Sequence, residues 1–157
     1  MYQKIVVPID NSDTAAAAFE HALALAQLAK SQLILLHVSD ISRATIASSV
    51  MPGLDLPSYD AQRDRVEGEI QAMLDRFCQQ AQNQGVACSN RLIEQRGGHA
   101  ADALLKAAAL VHADLIVMGT HGYSGFMNLI FGSMAESLLH RTTIPVLLVR
   151  LNEEDDD

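Results

Sequence analysis

Short apolar runs alternate along the chain with longer segments that are alanine-rich or amphipathic. The runs are rich in Val, Ile and Leu and predict five β-strands: KIVVPI (4–9), LILLHVS (33–39), VACSNRLIEQ (86–95), DLIVMG (114–119) and IPVLLVR (144–150). The longer segments predict four helices, at 12–30, 60–84, 99–112 and 132–141. Ser12 or Asn11 is the expected cap of the first helix, and Gly85 is the expected stop of the second.

Strict alternation of strands and helices predicts an α/β fold in which helices cover both faces of a parallel sheet. All the runs except the third are nearly continuous aliphatic stretches, typical of strands buried on both faces. The third run alternates with polar residues and is expected to be less buried. If the chain winds outward from strand 1 and then returns for strand 4, the five-stranded sheet has the order 3-2-1-4-5. The prediction is a single doubly wound domain, a three-layer sandwich.

Charge is concentrated at the end of the chain. The formal net charge is −8, but the last five residues, EEDDD, are all acidic, and without them the balance is −3. We therefore expect one domain over residues 1–151 and a solvated, disordered acidic tail at 152–157. Neither part has the basic stripe that nucleic-acid binding requires, so no nucleic-acid partner is expected.

The cysteines and the apolar segments indicate a cytoplasmic protein. Cys78 and Cys88 form neither a CxxC pair nor a zinc pattern, and we interpret them as reduced structural thiols. The opening MYQKIVVPID is not typical of a signal peptide, because Pro8 and Asp10 break its short apolar run. No segment approaches the roughly 20 apolar residues of a membrane span, so no membrane insertion is expected.

Polar and glycine-rich residues converge on one place in this topology. In open parallel sheets, ligands bind at the carboxyl ends of the strands where the strand order reverses, here between strands 1 and 4. Strand 1 ends at Asp10, and strand 4 ends at Met118 and Gly119. Asp10 could accept hydrogen bonds from sugar hydroxyls or bind a cation that bridges phosphates; alternatively, it could simply form a turn or cap the first helix.

The stretch GTHGYSGFMNLIFGS, from Gly119 to Ser133, predicts a phosphate cradle. Gly119 and Gly122 allow close backbone approach, although both could be ordinary turn glycines. Gly132 and Ser133 open a helix, whose free N–H groups favour an anion; Ser133 could also serve as its cap. There is no GxxxxGK[ST], no GxGxxG after strand 1 and no acidic cluster of a phosphorylation receiver domain.

The spacing Gly119-x2-Gly122-x9-Gly132-Ser133 resembles the G-x2-G-x9-G-[S/T] motif of the universal stress protein family, in its ATP-binding branch. The segments IVVPIDNS, LLHVS and IPVLLV are similar to the first, second and last strands of that family. The resemblance covers residues 2–151. It departs at the turn after strand 1, where Asp-Asn-Ser stands in place of the common Asp-Gly-Ser; Asn tolerates left-handed geometry well.

The resemblance implies a Rossmann-like α/β sandwich of the adenine-nucleotide-binding type, with ATP as ligand and with any Mg²⁺ held mainly by the phosphates. It also implies a homodimer through the last strand, Ile144 to Val149, and leaves room for a higher oligomer or a protein partner. The residues that match the nucleotide site are Pro8, Ile9 and Val38 around the base, Asp10 at the ribose or metal side, Met118 and Gly119 beneath the nucleotide, and Gly122, Gly132, Ser133 and Met134 at the phosphates.

Other residues have plainer interpretations. His121 has no nucleophile or orienting partner and is expected to be a surface or phosphate-contact residue. His37, between apolar neighbours, is expected in the core, and Met118 and Met134 could equally fill the core. No catalytic residue and no metal ligand from the protein are predicted.

Three functions follow from these residues. The first is an ATP-dependent stress-response switch or sensor. The second is a slow ATP hydrolase or nucleotidyl-transfer enzyme, although the motif contains no lysine, no arginine and no evident base. The third is a dimeric interaction module without a nucleotide. The apolar residues from Phe126 to Phe131 are expected to pack at or near a subunit contact.

Overall fold

The computed structural model describes residues 1–40, 59–120 and 132–151. Strands and helices alternate over these residues, with bounds within two residues of those predicted. The strands are β1 (Lys4–Pro8), β2 (Gln32–Asp40), β3 (Cys88–Gln95), β4 (Leu115–Gly119) and β5 (Val146–Val149). The helices are α1 (Asp13–Ala29), α2 (Tyr59–Asn83), α3 (Ala100–Leu110) and α4 (Ser133–Arg141).

The five strands form one parallel sheet in the order β3-β2-β1-β4-β5, which confirms the predicted topology. β1 lies at the centre, with Lys4 opposite Gln32 of β2 and Ile5 opposite Leu115 of β4. The strand order reverses between β1 and β4, so the crevice of a doubly wound sheet is expected at their carboxyl ends.

Both faces of the sheet are covered by helices, and each face has its own core. On one face, α1 and α2 pack around Phe19, Leu23 and Leu74. The rings of Phe19 and Phe77 meet there with centroids 4.8 Å apart at a tilt of 58°, a favourable edge-to-face type of contact. On the other face, α3 and α4 bury Leu104 and Leu138, which are both fully inaccessible to solvent.

Local signals set where the helices begin and end. Ser12, one of the two residues predicted to cap α1, is its N-cap. The Ser12 hydroxyl accepts a hydrogen bond from the backbone N–H of Ala15. After α2, Gly85 adopts a φ of +80°, a left-handed conformation that favours glycine and stops the helix at the predicted place.

β5 is less buried than its aliphatic sequence predicted. Only Val149 of this strand is buried, while Leu147 is 37% exposed. The reason is its position, because β5 is an edge strand and its outer side has no neighbouring strand in the described chain. The continuous aliphatic runs predicted that both strands would be buried. This is correct for β4 and wrong for most of β5.

Some predictions concern residues outside the described ranges. These are the acidic tail at 152–157, Gly122, His121 and the apolar residues from Phe126 to Phe131, so the structure does not test them. None of the described helices combines the length and apolarity required to cross a membrane.

Candidate functional site

A crevice at the carboxyl ends of β1 and β4 brings the predicted site residues together. Nine of them line it: Pro8, Ile9, Asp10, Val38, Met118, Gly119, Gly132, Ser133 and Met134. Gly122 is the one predicted site residue that lies outside the described residues. Segments far apart in the sequence therefore form a single concave surface at the point where the strand order reverses.

Asp10 is held by the residues that follow it. Its Oδ1 accepts a hydrogen bond from the backbone N–H of Ser12 at 2.9 Å and a second, short one from the Ser12 hydroxyl. Through Oδ1, Asp10 therefore forms the turn that was one of its predicted roles. Its Oδ2 has no hydrogen-bond partner among the described residues, and the side chain is half-buried at the crevice wall, so this oxygen can accept from a ligand.

His37 was predicted to lie in the core, but it lies in the wall of the crevice. Its ring Nδ1 is 2.7 Å from the carbonyl oxygen of Ile9. Because a carbonyl oxygen only accepts, Nδ1 carries the proton, and Nε2 of the neutral ring is an acceptor. The residue lies three positions before the end of β2, is half-buried and lines the crevice.

Gly119 is needed for packing within the protein. A Cβ placed on it would lie 2.7 Å from the Cβ of Thr14 and 2.8 Å from its backbone carbon. The first turn of α1 thus rests directly on the end of β4. The sequence predicted close approach of a ligand here, and the structure adds a contact within the protein that also excludes a side chain.

The two ends of the glycine motif are joined by backbone hydrogen bonds. Thr120 donates its N–H to Val149 at 3.0 Å, and its carbonyl accepts the N–H of Gly132 at 2.5 Å. Gly132 is the N-cap of α4 and its N–H is already donated to Thr120, so the candidate anion donors begin at Ser133. Its carbonyl accepts the first helical bond, from Glu136 at 3.0 Å.

The first turn of α4 supplies the donors of the candidate anion site. The backbone N–H groups of Ser133, Met134 and Ala135 have no partner among the described residues, as expected at a helix N-terminus. All three residues line the crevice. The positive end of the helix dipole adds to these donors, so the site is suited to a phosphate or carboxylate.

Charged side chains contribute little to the crevice. Of the residues that line it, Asp10 and His37 are ionisable, and none is Lys or Arg. Anion binding by these residues therefore depends on backbone N–H groups and hydroxyls rather than on cationic side chains. Within the described ranges, no three His, Cys, Asp or Glu side chains come together in a way that could hold a metal ion.

Several lining residues escaped prediction: Ser12 as more than a cap, Thr14, Ala15, Leu36, His37, Leu104, Thr120 and Ala135. The hydroxyls of Ser12 and Thr14 follow β1 directly, and that position was a usable signal. Leu104 belongs to α3 and faces the crevice only because that helix packs across the sheet, which a pattern along the chain does not reveal.

Comparisons with known proteins agree with this architecture. A model of the universal stress protein family matches residues 1–150. The universal stress protein YxiE of Bacillus subtilis is 31% identical over 153 residues, covering 96% of this chain and all of the relative. A universal stress protein structure from Burkholderia pseudomallei is 33% identical, with a TM-score of 0.73 over 94% of this chain and 96% of that one. Another, a universal stress protein in complex with cAMP, is 25% identical, with a TM-score of 0.64 over 95% and 97%.

Proposed function

The chain belongs to the universal stress protein family, and we propose that it binds an adenine nucleotide, namely ATP, in the crevice at the carboxyl ends of β1 and β4. The observation that carries the proposal is the convergence of nine predicted residues on one crevice, beside three N–H groups of a helix N-terminus that have no partner in the part of the chain that the structure describes. The likeness to a universal stress protein in complex with cAMP, which is an adenine nucleotide, supports this choice of ligand.

The proposed binding mode follows the chemistry of the crevice wall. Its apolar part, which includes Pro8, Ile9, Val38 and Met118, covers the base. Asp10 accepts from the sugar, and the N–H groups at the start of α4 bind phosphate oxygens. Because Asp10 is the single carboxylate among the described lining residues, Mg²⁺ would be held mainly by the phosphates.

We propose that the biological role is that of a nucleotide-dependent stress-response switch or sensor in the cytoplasm. In this role the bound nucleotide changes the surface that a partner meets, through differential affinity for two arrangements of the chain. The hydrogen bond between Thr120 and Gly132 supports this role. Residues 121–131 begin and end at these two positions, which lie beside the proposed phosphates.

A homodimer through residues 144–149 is a further part of the proposal. β5 is an edge strand whose outer backbone groups can pair with another strand. Leu147 and Leu151 are 37% and 49% exposed at this edge, and a second copy of the chain would cover them. Such a dimer could also associate further or bind another protein.

Calorimetric titration with ATP, ADP and AMP, with and without Mg²⁺, tests nucleotide binding. We expect a dissociation constant between micromolar and millimolar for ATP, with weaker binding by Asp10→Ala. Asp13→Ala is the matched control, because Asp13 is an exposed acid near Asp10 that does not line the crevice. Absence of heat at millimolar nucleotide, or equal losses in both variants, would contradict the proposal.

A further inference from the structure

The backbone N–H and the hydroxyl of Ser12 form a hydrogen-bond network at the start of α1. Both groups donate to Oδ1 of Asp10. The same hydroxyl oxygen accepts the N–H of Ala15 at 3.2 Å, which caps the helix. It also lies 3.2 Å from the hydroxyl oxygen of Thr14, so the network extends along the wall of the crevice.

This arrangement divides the two oxygens of the Asp10 carboxylate between two tasks. Oδ1 is occupied by two donors of Ser12, and these fix the rotation of the carboxylate plane. Oδ2 has no partner among the described residues and lies in a side chain that lines the crevice. A carboxylate that is fixed before binding loses less rotamer freedom when a ligand donates to it.

Ser12 is in turn fixed by the helix that it caps. Its hydroxyl donates its one proton to Asp10 and accepts from Ala15, so its orientation is determined by partners on both sides. Helix capping alone would need the acceptor half of this arrangement, and Gly serves that position nearly as well as Ser. The donor half is directed at Asp10 and goes beyond capping.

We propose that Ser12 is a positioning residue for sugar recognition: it holds Asp10 so that Oδ2 accepts from the vicinal hydroxyls of a ribose. The crevice therefore favours a ribonucleotide over a nucleotide that lacks both hydroxyls. This inference rests on the proposed function, because it assigns the sugar part of the nucleotide to one wall of the same crevice.

The test compares the affinities for ATP and 2′,3′-dideoxy-ATP, measured by calorimetry on the full chain. For the unaltered protein we expect about tenfold preference for ATP, the worth of one hydrogen bond to a charged acceptor. Ser12→Gly keeps the backbone N–H and a tolerated cap but removes the hydroxyl, so the preference should fall to about two- or threefold. Ser12→Thr, which keeps the hydroxyl, should restore it.

The outcomes separate the inference from the proposed function. If neither nucleotide binds the unaltered protein, the proposed function itself fails. If both bind equally, nucleotide binding stands and the inference is overturned, whatever the variants do. If Ser12→Gly weakens both nucleotides by the same factor, Ser12 acts as a helix cap alone and the inference is likewise overturned. Urea unfolding of each variant shows whether it is folded at the temperature of the titration.

Discussion

Gly119 at the end of β4 and Thr14 in the first turn of α1 are in direct contact, without room for a side chain on the glycine. The Cβ of an alanine at Gly119 would meet the Cβ of Thr14 at 2.7 Å and its backbone carbon at 2.8 Å. Thr14 lies two residues after Ser12, which holds Asp10. Through this contact, the segment that carries Asp10 packs against the end of β4, where the glycine motif begins.

Gly119→Ala should lower the free energy of unfolding by about 1–3 kcal/mol, because α1 must move away from β4. Urea unfolding measures the loss. Combining it with Thr14→Ala should restore little stability, since the Cβ and the backbone carbon at position 14 remain in place. Full recovery in the double variant would show that only the Thr14 hydroxyl and methyl groups obstruct position 119.

Ser133→Pro tests the backbone donors of α4. Proline is tolerated at the first position of a helix, and the φ of −69° and ψ of 159° at Gly132 suit a residue that precedes proline. The substitution removes one N–H from the candidate anion site, so ATP should bind about tenfold more weakly than it does to Ser133→Ala, which keeps that N–H.

Calorimetric titration of both variants makes the comparison, with circular dichroism to verify that α4 is retained. Equal affinities in a folded Ser133→Pro protein would mean that this N–H does not contact the phosphates. Loss of affinity in Ser133→Ala alone would assign the contact to the hydroxyl group instead.

His37→Leu should destabilise the fold by about 1–3 kcal/mol, because the carbonyl of the buried residue Ile9 loses its donor. His37→Asn should lower the free energy of unfolding by less, since the amide nitrogen of Asn can donate to the Ile9 carbonyl in place of Nδ1. Urea unfolding compares the two. A greater loss in His37→Asn than in His37→Leu would show that the ring contributes by packing and not by this hydrogen bond.

Asp114 should contribute stability that depends on pH. Its Oδ2 accepts the backbone N–H groups of Lys4 and Gln3 at 2.8 Å each, and these bonds lower the pKa of Asp114 from its ordinary value. The folded chain therefore binds a proton here less readily than the unfolded chain. The contribution is present above the unfolded pKa of about 4 and is lost as the pH falls through the lower folded value.

Asp114→Asn removes the charge and keeps the shape of the side chain. The urea midpoint of this variant should lie below that of the unaltered protein. The difference between the two midpoints should be largest near pH 7 and should become smaller below about pH 4. Asp64→Asn, at an exposed position of α2, is the control and should show no such narrowing. A deficit of Asp114→Asn that is constant from pH 7 to pH 3 would contradict the assignment.

Leu147→Asp should weaken the proposed homodimer about tenfold or more, because it places a charge at the centre of the paired β5 edges. Leu28→Asp changes a leucine of α1 that is 84% exposed and lies outside β5, and it should leave the association unchanged. Sedimentation equilibrium at several concentrations measures both. A chain that is monomeric without substitution, or equal effects of the two variants, would remove β5 as the interface.

The sequence predicted the sheet and most of the crevice because those features have short-range signatures. Aliphatic runs separated by helical segments predicted the strand order, and the spacing of Gly119, Gly132 and Ser133 predicted where the chain turns toward an anion. The contacts that join distant segments were not predictable in this way. Gly119 meets Thr14 across the sheet, and neither residue has a local pattern that indicates the other.

Two further residues show the same limit. His37 is flanked by apolar residues of β2, so its neighbours in sequence indicated a core position; its partial exposure follows from its place in the wall of the crevice. Gly132 was predicted as part of the phosphate cradle, and nothing in the sequence shows that the carbonyl of Thr120 accepts its N–H.

The hydrogen bond between Thr120 and Gly132 also bears on how this fold can diversify. It joins the end of β4 directly to the N-cap of α4, so the start of the helix is attached to the sheet independently of residues 121–131. Doubling the length of a closed loop costs only about 0.6 kcal/mol in closure entropy. A change in the number of residues between Thr120 and Gly132 therefore need not displace the anion donors of α4.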